Sequence, residues 1–322
     1  MSQSQVKIHV MGKPMWVPSA CVEGRTVISA GKMLKVAAVM DEELVEGETV
    51  ADPEAFVSQV KHTQLNADIF TFAQKLPEVV PKYKYRTEWD SAAVIPITSY
   101  SEWFEKRAEY DVRKAVKRAN RLGVVVRLAE FDDAFVEGVC RIYNESPTRQ
   151  GRAFWHYQKS FNDVKDESAT YSERSVFIGA YYNEELIGFV KMVRVGPIAR
   201  TLHVISEKKH FDKKPTNALI AKTVEICELS GLSHLVYGTY ASGDPKNSLT
   251  EFKRRNGFEE VLVPRYHIPL TLKGRIALRW NLHRQMAARL PEGVTTQLRR
   301  VRGLWYGRKA RSSGEMTERR RA

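Results

Sequence analysis

Hydrophobic and polar positions along the chain predict a regular alternation of strands and helices from residue 124 onward. Short apolar runs rich in β-branched residues are typical of strands, and apolar positions recurring about every 3.6 residues are typical of helices. The predicted order is strand 124–128, helix 132–143, a helical stretch within 155–171, strands 175–182, 186–195 and 201–206, helix 216–229, strand 233–238, a short helix 249–255, and strands 258–263 and 265–270. The polar turn at Asn183 joins the first two central strands as an antiparallel hairpin.

The region before residue 124 predicts a smaller α+β unit followed by a long basic helix. Strands are predicted at 6–10, 26–29, 34–39, 67–73 and 88–97, and one helix begins at Asp52 with Pro53 in its first turn. A long helix at 101–121 then ends at Gly123. We therefore divide the chain into an N-terminal unit at 1–100, a main domain at 101–283 and a basic, disordered tail at 284–322.

Basic residues are concentrated in two segments. Residues 299–322 hold nine Lys or Arg and two Glu, which supplies +7 of the net charge of +13. The segment Arg113–Arg127 holds six more cations and no acidic residue. Such segments favour polyanions, so contact with tRNA or an anionic membrane through Arg113–Arg127 and the 299–322 tail is one interpretation. A solvated helix face and a disordered solubilising tail are the other.

Several protein classes are disfavoured by the sequence. No run approaches 18 uninterrupted apolar residues, and the first residues lack the pattern of a signal peptide, so we expect no transmembrane segment and a cytoplasmic location. Cys21, Cys140 and Cys227 are widely spaced, which fits neither a disulfide framework nor a metal knuckle. Because no His, Cys or Asp cluster has ligand spacing, we predict no metal.

Three local signatures, in this order of elements, resemble the GNAT acyltransferase superfamily over about Leu128–His267. They are the hairpin Phe177-Ile-Gly-Ala with Leu186-Ile-Gly-Phe, the helix end Cys227-Glu-Leu-Ser-Gly-Leu before strand Leu235-Val-Tyr, and the short helix ending Arg255-Asn-Gly-Phe. The resemblance implies an α/β fold with a mixed, mostly antiparallel sheet flanked by helices. It also implies an acyltransferase whose fourth and fifth strands splay apart around the acyl group.

The upstream region is similar to the FemAB-like branch, in which a partial first GNAT-like unit precedes a complete GNAT domain. The similarity lies in Ala67–Pro77 and in Arg113-Lys-Ala followed by Gly123-Val. It implies that 1–100 is a partial GNAT-like unit, and that the acyl donor is aminoacyl-tRNA and the acceptor a cell-envelope precursor.

Two departures from acetyl-CoA enzymes favour that branch. Lys214-Pro-Thr stands where a glycine-rich loop would bring backbone N–H groups to a pyrophosphate, and Pro215 removes one N–H donor. Lys253 stands where many acetyltransferases have a tyrosine that protonates the leaving thiolate. The resemblance then implies a donor-binding set, whose members are Lys213, Lys214, Thr216, Asn217 and Lys253. A well-capped helix start and a solvated basic face are the competing interpretations.

Candidate catalytic and acceptor-binding residues surround the same predicted strands. His203 and Glu207 lie on or near the fourth strand, Tyr237 ends the fifth, and Glu145 follows the first helix, so these four are the catalytic candidates. The loop at 143–157 is rich in polar and aromatic residues, a composition typical of ligand-binding loops. The acceptor-binding candidates are Asn144, Arg149, Arg152, His156 and Tyr240. Structural roles for these histidines and tyrosines remain the alternatives.

The sequence thus predicts an acyltransferase that moves an aminoacyl or acetyl group onto an amine by direct attack. The sequence shows no Ser–His or Cys–His pair with a spacing typical of nucleophilic catalysis, so we predict no acyl-enzyme. The acyl donor is acetyl-CoA, another acyl-CoA or aminoacyl-tRNA, and the acceptor is an envelope precursor or amino sugar. Two alternatives stay open: an acetyl-CoA-dependent N-acetyltransferase of a small molecule, and a non-catalytic GNAT-like protein that binds polyanions.

Overall fold

The structure is a computed structural model that describes residues 4–10, 13–149, 151–240 and 248–283. The predicted tail at 284–322 lies outside the described residues. The strands are β1 Gln5–Val10, β2 Lys13–Val22, β3 Arg25–Ala30, β4 Val36–Val39, β5 Ile69–Ala73, β6 Arg86–Pro96, β7 Val125–Ala129, β8 Thr148–Arg149, β9 Arg152–Ala153, β10 Ser175–Tyr182, β11 Glu185–Val195, β12 Ile198–Ser206, β13 His234–Val236 and β14 Glu259–Pro269. The helices are α1 Pro53–Lys61, α2 Tyr100–Glu102, α3 Tyr110–Arg121, α4 Asp133–Asn144, α5 Phe161–Ser168, α6 Pro215–Leu229, α7 Ser248–Arg255 and α8 Leu272–Arg279.

The chain divides into two compact units, and the boundaries fall inside β6 and β14. Unit 1 is formed by the chain up to Ser91 with the segment from Leu262, and unit 2 extends from Ala92 to Val261. The described segment Leu262–His283 therefore clusters with the N-terminal part of the chain. The reason is that β14 pairs with β5 from Arg265 to Pro269.

Unit 1 is built on the strand order β1-β2-β3-β4-β5-β14. The recorded pairs are antiparallel except β4 with β5, which is parallel. Its main core packs α1 against the sheet and includes Phe56, Phe70, Phe72 and Tyr266. Asp52 caps α1 by accepting the N–H groups of Glu54 and Ala55, as the Asp-Pro pair predicts.

Unit 2 has the strand order β6-β13-β12-β11-β10-β7. Its sheet is antiparallel except for the parallel pair β12–β13. One face packs against α3 and α6, and the other packs against α4 and α5. This mixed, mostly antiparallel sheet flanked by helices confirms the predicted fold class, and β7 to β14 follow in the predicted order.

The structure departs from the predicted elements in several places. The helix predicted at 101–121 is interrupted, because a π-helical turn at Trp103–Arg107 is followed by Ala108 in an extended conformation before α3 begins. The strand β2 and the helix α8 were not predicted, and β14 continues through Pro264 as one strand. The x-Gly-Phe signature has a steric reason: Gly257 has φ +80° and lies against Arg107, where an added Cβ would come within 3.0 Å.

Within the described part of the chain, no helix has the length and apolar character needed to cross a bilayer.

Candidate functional site

The splay between β12 and β13 organises the candidate site in unit 2. The two strands pair only where Ile198–Arg200 meets His234–Val236, although β12 continues to Ser206. Beyond Val236 the chain continues only its pairing with β6 on the other edge, since Tyr237 N–H donates to Ala93 O at 2.8 Å. In the described residues, β12 from Thr201 onward therefore has no ladder partner on this side. An edge of this kind can present backbone amides to a carbonyl oxygen.

Lys253 of α7 contacts the segment that follows β13. It is only 4% exposed, and its ammonium group donates to Thr239 O and lies 4.7 Å from the centre of the Tyr237 ring. Burial raises the pKa of Tyr237 well above its ordinary value, so the phenol stays protonated. The structure thus places a buried cation and a neutral tyrosine together at the end of β13. The sequence had predicted Lys253 as a contact to the phosphates of the acyl donor.

The N-terminus of α6 lies beside the end of β12. Thr216 is hydrogen bonded to Ser206, with 2.8 Å between the two hydroxyl oxygens, and the Asn217 amide donates to Asn256 Oδ1 of α7 at 3.2 Å. Lys214 precedes the helix in a left-handed conformation and makes no side-chain cap. Lys213 pairs with Asp212 at 3.2 Å and lies 4.9 Å from the Tyr182 ring centre. Four of the five predicted donor residues, Lys213, Lys214, Thr216 and Asn217, therefore lie at one helix start, whereas Lys253 lies on α7.

A strongly basic cavity of about 730 Å³ lies between α3, the start of α6 and α7. Its cationic lining residues are Lys114, Lys117, Arg118, Arg121, Lys214 and Arg255, with Asp111 as the acidic one. Asn217 and the buried Asn256 also line it. The basic helix that the sequence singled out and the predicted donor loop therefore line the same cavity. A cavity with this charge and a helix N-terminus suits a phosphate-rich ligand.

Glu145, Arg149 and Glu207 meet at the C-terminal end of β12, where protein groups engage them. Glu145 accepts the backbone N–H groups of Lys208 and Lys209 at 2.7 and 2.8 Å. Arg149 donates to Ser206 O at 2.8 Å and to Ile142 O at 3.1 Å. These contacts hold the turn after β12 onto α4. Glu145, predicted as a catalytic base, and Arg149, predicted as an acceptor contact, thus both make structural hydrogen bonds.

Glu207 is the most enclosed of the predicted catalytic carboxylates. It is 1% exposed, and three side chains surround it: the Lys209 ammonium at 3.1 Å, the His210 imidazole at 3.6 Å and the Arg141 guanidinium at 3.8 Å. These ion pairs hold the Glu207 carboxylate among side chains of α4 and of the turn after β12.

His203 and His156 come together with Tyr143 on the α4 and α5 face of the sheet. Tyr143 OH lies 3.3 Å from His203 Nδ1, and the Tyr143 and His156 rings stack with centroids 4.4 Å apart. Burial, reinforced by Lys191 and Lys159, lowers the pKa of His203 to about 4. Burial and the neighbouring His203 lower the pKa of His156 to about 2. Both imidazoles are therefore neutral at pH 7, and each can accept a hydrogen bond at its unprotonated ring nitrogen.

The depressed pKa of His203 predicts how stability depends on pH. Between about 4 and the ordinary value of 6.5, unfolded chains bind a proton at this position that the folded protein does not. Stability therefore falls as the pH is lowered through this window, and His203→Gln should reduce that fall in urea unfolding curves measured at several pH values. His62→Gln, which removes an exposed imidazole, is the matched control. An unchanged pH dependence in His203→Gln would contradict the neutral, buried state of His203.

The remaining acceptor candidates take different places in unit 2. Asn144 donates to Cys140 O and accepts the backbone N–H of Gln158, so it orders the loop after α4. The backbone of Arg152 lies in β9, and its side chain is outside the described part. Tyr240 follows β13, and its carbonyl accepts the Thr250 hydroxyl at 3.3 Å. His156 and Tyr240 thus belong to different segments that flank the splayed strands.

Two polar residues of unit 2 were missed by the sequence. Asn256 is fully buried and links α7 to Asn217 and to the Trp103 indole N–H, which donates to Asn256 O at 2.9 Å. Lys191 is 1% exposed and donates to Ser168 O and Thr170 O, and burial lowers its pKa to about 8. The signal for Lys191 was available, because a lone lysine interrupts the otherwise apolar run Leu186–Val193.

Unit 1 contains a group of possible metal ligands that sequence spacing did not reveal. One ligand atom from each of Glu88, His267 and His283 lies within 4.8 Å of the other two. His283 Nε2 is 2.8 Å from Glu88 Oε1, and the Arg86 guanidinium lies 3.9 Å from the same carboxylate. Because protein groups already partner Glu88, the geometry is explained without an ion.

Comparison with known proteins identifies the fold. No protein-family model matches the chain, and no curated protein matches it in sequence. Among solved structures, the C-terminal domain of a putative lysylphosphatidylglycerol synthetase from Agrobacterium fabrum matches at 13% identity and a TM-score of 0.54, over 84% of this chain and 88% of that one. FemX matches at 10% identity and a TM-score of 0.53, over 86% of this chain and 90% of that one. The L-PGS structure from Bacillus licheniformis matches at 12% identity and a TM-score of 0.52, over 85% of this chain and 90% of that one. The chain therefore has the GNAT-like fold in the arrangement found in FemX and lysylphosphatidylglycerol synthetases.

Proposed function

We propose that this protein transfers an acyl group from a phosphate-rich carrier onto an amino group. The observation that carries the proposal is the open edge of β12 beyond Arg200, which lies beside the α6 N-terminus and the basic cavity. The edge offers backbone amides to a carbonyl oxygen, and the cavity offers cations to the carrier. Structural likeness to FemX and to lysylphosphatidylglycerol synthetases supports the same class of reaction.

The charge distribution favours aminoacyl-tRNA as the donor. Six cations line the cavity, four of them along α3, which is a longer track than one pyrophosphate group requires. The start of α6 has Lys214-Pro215 in place of a glycine loop, so close backbone approach to a pyrophosphate is reduced. A polynucleotide end, with successive phosphates, matches an extended basic surface better.

The proposed reaction is direct aminolysis. The acceptor amine attacks the ester carbonyl, the C–N bond forms, and the C–O bond to the carrier ribose breaks. The amides of β12 and the Lys253 ammonium stabilise the oxyanion, and the neutral His203 imidazole accepts a hydrogen bond from the attacking amine. The departing ribose oxygen takes up the proton that the amine loses, so the hydroxyl of the carrier is restored.

The acceptor is proposed to enter from the α4 and α5 face. The loop after α4 carries Asn144, Arg152 and His156, and Tyr143 and His203 lie beneath it. The neutral donors and acceptors of Tyr143, Asn144, His156 and His203 suit a hydroxyl-rich amine, such as an amino sugar or a peptide of an envelope precursor. Tyr240, at the end of the splayed strands, is the proposed contact on the other side.

Charge reversal in the basic cavity tests the donor. The double substitution Lys114→Glu and Arg118→Glu should weaken binding of aminoacyl-tRNA by more than about tenfold and lower the slope of log affinity against log salt by roughly 2. Lys165→Glu with Arg194→Glu, on exposed residues outside the cavity, changes the net charge equally and is the control. Filter binding over a salt series measures both. Equal losses in the two double variants would contradict a specific site.

Two alternatives make different predictions for the same protein. An acetyl-CoA-dependent enzyme should bind CoA with micromolar affinity in calorimetry, and the cavity variant should abolish that binding. A non-catalytic polyanion-binding protein should bind tRNA but accelerate no transfer from either donor to an amino sugar or peptide amine. Transfer from aminoacyl-tRNA without measurable CoA binding supports the proposal.

A further inference from the structure

The helix α8 of unit 1 carries an exposed apolar stripe. Leu272, Ile276 and Trp280 recur at intervals of four residues, which places them on one side of the helix. They are 69%, 47% and 67% exposed, whereas Ala277 and Leu278 on the opposite side are buried in the core of unit 1. Helices of globular proteins usually have one apolar face, which packs against the core. In α8 the side with Ala277 and Leu278 does so, and the exposed stripe is a second apolar face.

Cations flank this stripe on both sides. Lys273, Arg275 and Arg279 are exposed on the same outward half of α8, and residues 270–283 include no Asp or Glu. Lys273 reaches Asp68, with 3.3 Å between the charged atoms, but its side chain remains 59% exposed. The outward half of α8 therefore combines three large apolar side chains with a local charge of +3.

We propose that α8 docks unit 1 onto an anionic lipid bilayer. A helix with Trp and Leu on one strip and Lys and Arg beside it matches the pattern of interfacial helices, which lie in the plane of the headgroups. Trp280 takes the position that tryptophan favours at the membrane–water boundary, and the three cations face lipid phosphates. The positive charge favours an anionic bilayer over a second copy of this chain, because two copies of α8 would bring like charges together.

The length of α8 fixes the mode of binding. Eight residues span roughly 12 Å, far less than the hydrocarbon core, so the helix lies along the surface. Three apolar side chains and three cations provide reversible binding that depends on both anionic lipid and salt.

Vesicle binding by the full chain tests the docking surface. Sedimentation with phosphatidylcholine vesicles is compared with and without phosphatidylglycerol, for the wild type and for the triple variant Leu272→Gln, Ile276→Gln and Trp280→Gln. Trp16→Gln, which removes an exposed tryptophan of the same unit, is the control. We expect binding only to the anionic vesicles, a loss of about tenfold or more in the triple variant, and no loss in the control. Trp280 emission, taken as the difference from Trp280→Phe, should shift to shorter wavelength on binding.

The basic segment after residue 283 is the main competitor for lipid phosphates. Wild-type-like binding by the triple variant would assign binding to that segment and overturn the proposal. So would an unshifted Trp280 emission, binding to neutral vesicles alone, or no binding to either vesicle. Concentration-dependent dimerisation that the triple variant abolishes, with no vesicle binding, would identify α8 as a contact between copies and also overturn it.

Discussion

Lys253→Met is expected to lower the rate of acyl transfer about 10²–10³-fold while donor binding changes little, since one oxyanion contact typically contributes that factor. The reason is geometric. The Lys253 ammonium is buried against the Tyr237 ring and Thr239 O, in the segment that follows β13. In the proposed reaction, negative charge develops beside Lys253 only when the carbonyl becomes tetrahedral, so we expect its removal to lower kcat rather than to raise KM.

The measurement is single-turnover transfer from aminoacyl-tRNA to an amino sugar or peptide amine. Arg254→Gln is the matched control, because it removes a cation from the same helix whose partners are Glu251 and Glu109 on the surface. Urea unfolding of both variants separates a catalytic loss from a loss of folding. If Lys253→Met weakened tRNA binding in parallel with the rate, Lys253 would be a donor contact, as the sequence first indicated. An unchanged rate would remove it from the site altogether.

Arg265→Met is expected to lower the free energy of unfolding by about 3–5 kcal/mol, the usual effect of breaking a buried ion pair by removing one partner. Arg265 is nearly buried in unit 1, and its guanidinium donates to Asp90 at 2.7 Å and to Glu42. Although burial disfavours its charge, Glu42 and Asp90 raise the pKa of Arg265 above its ordinary value. Methionine fills a similar volume but leaves two carboxylates without the cation that compensates them.

The pH dependence of this variant identifies the mechanism. Burial raises the pKa of Asp90, and Arg265 is the largest influence that lowers it, so its removal makes the folded state bind a proton more readily. The deficit in stability should then shrink as the pH falls toward 5 and grow at higher pH. The triple variant Glu42→Gln, Asp90→Asn and Arg265→Met should recover much of the loss in urea unfolding. A deficit that is independent of pH and persists in the triple variant would indicate lost packing instead.

The sequence by itself predicted most elements of unit 2, and its resemblance to GNAT acyltransferases implied the fold class. Apolar periodicity and turn residues predicted the hairpin of β10 and β11, the helix α6 and the strand order along the chain. These features depend on local patterns, in which the side-chain period and the adjacent turn specify each element. The basic character of α3 was likewise readable, since charge composition needs no tertiary information.

Local sequence patterns did not predict the features that depend on contacts between segments far apart in the sequence. The break at Ala108 accompanies contacts with α7, where Glu109 N–H donates to Arg255 O and Arg107 packs on Gly257. The assignment of Leu262–His283 to unit 1 follows from the pairing of β14 with β5, almost 200 residues apart in sequence. Residue spacing carries no information about such pairings, because the partner is chosen by complementary edges and faces.

The candidate site shows the same division. The sequence named His203, Glu145, Lys253 and the donor loop as residues of interest, but only the tertiary structure decided which groups are enclosed, neutral or paired. It gave Glu145 two backbone N–H partners, lowered the pKa of His203 to about 4 and turned Lys253 inward. Protonation and accessibility depend on desolvation and on charges from other segments, which no local pattern contains. The sequence determined which chemical groups are present, and packing decided what each of them is able to do.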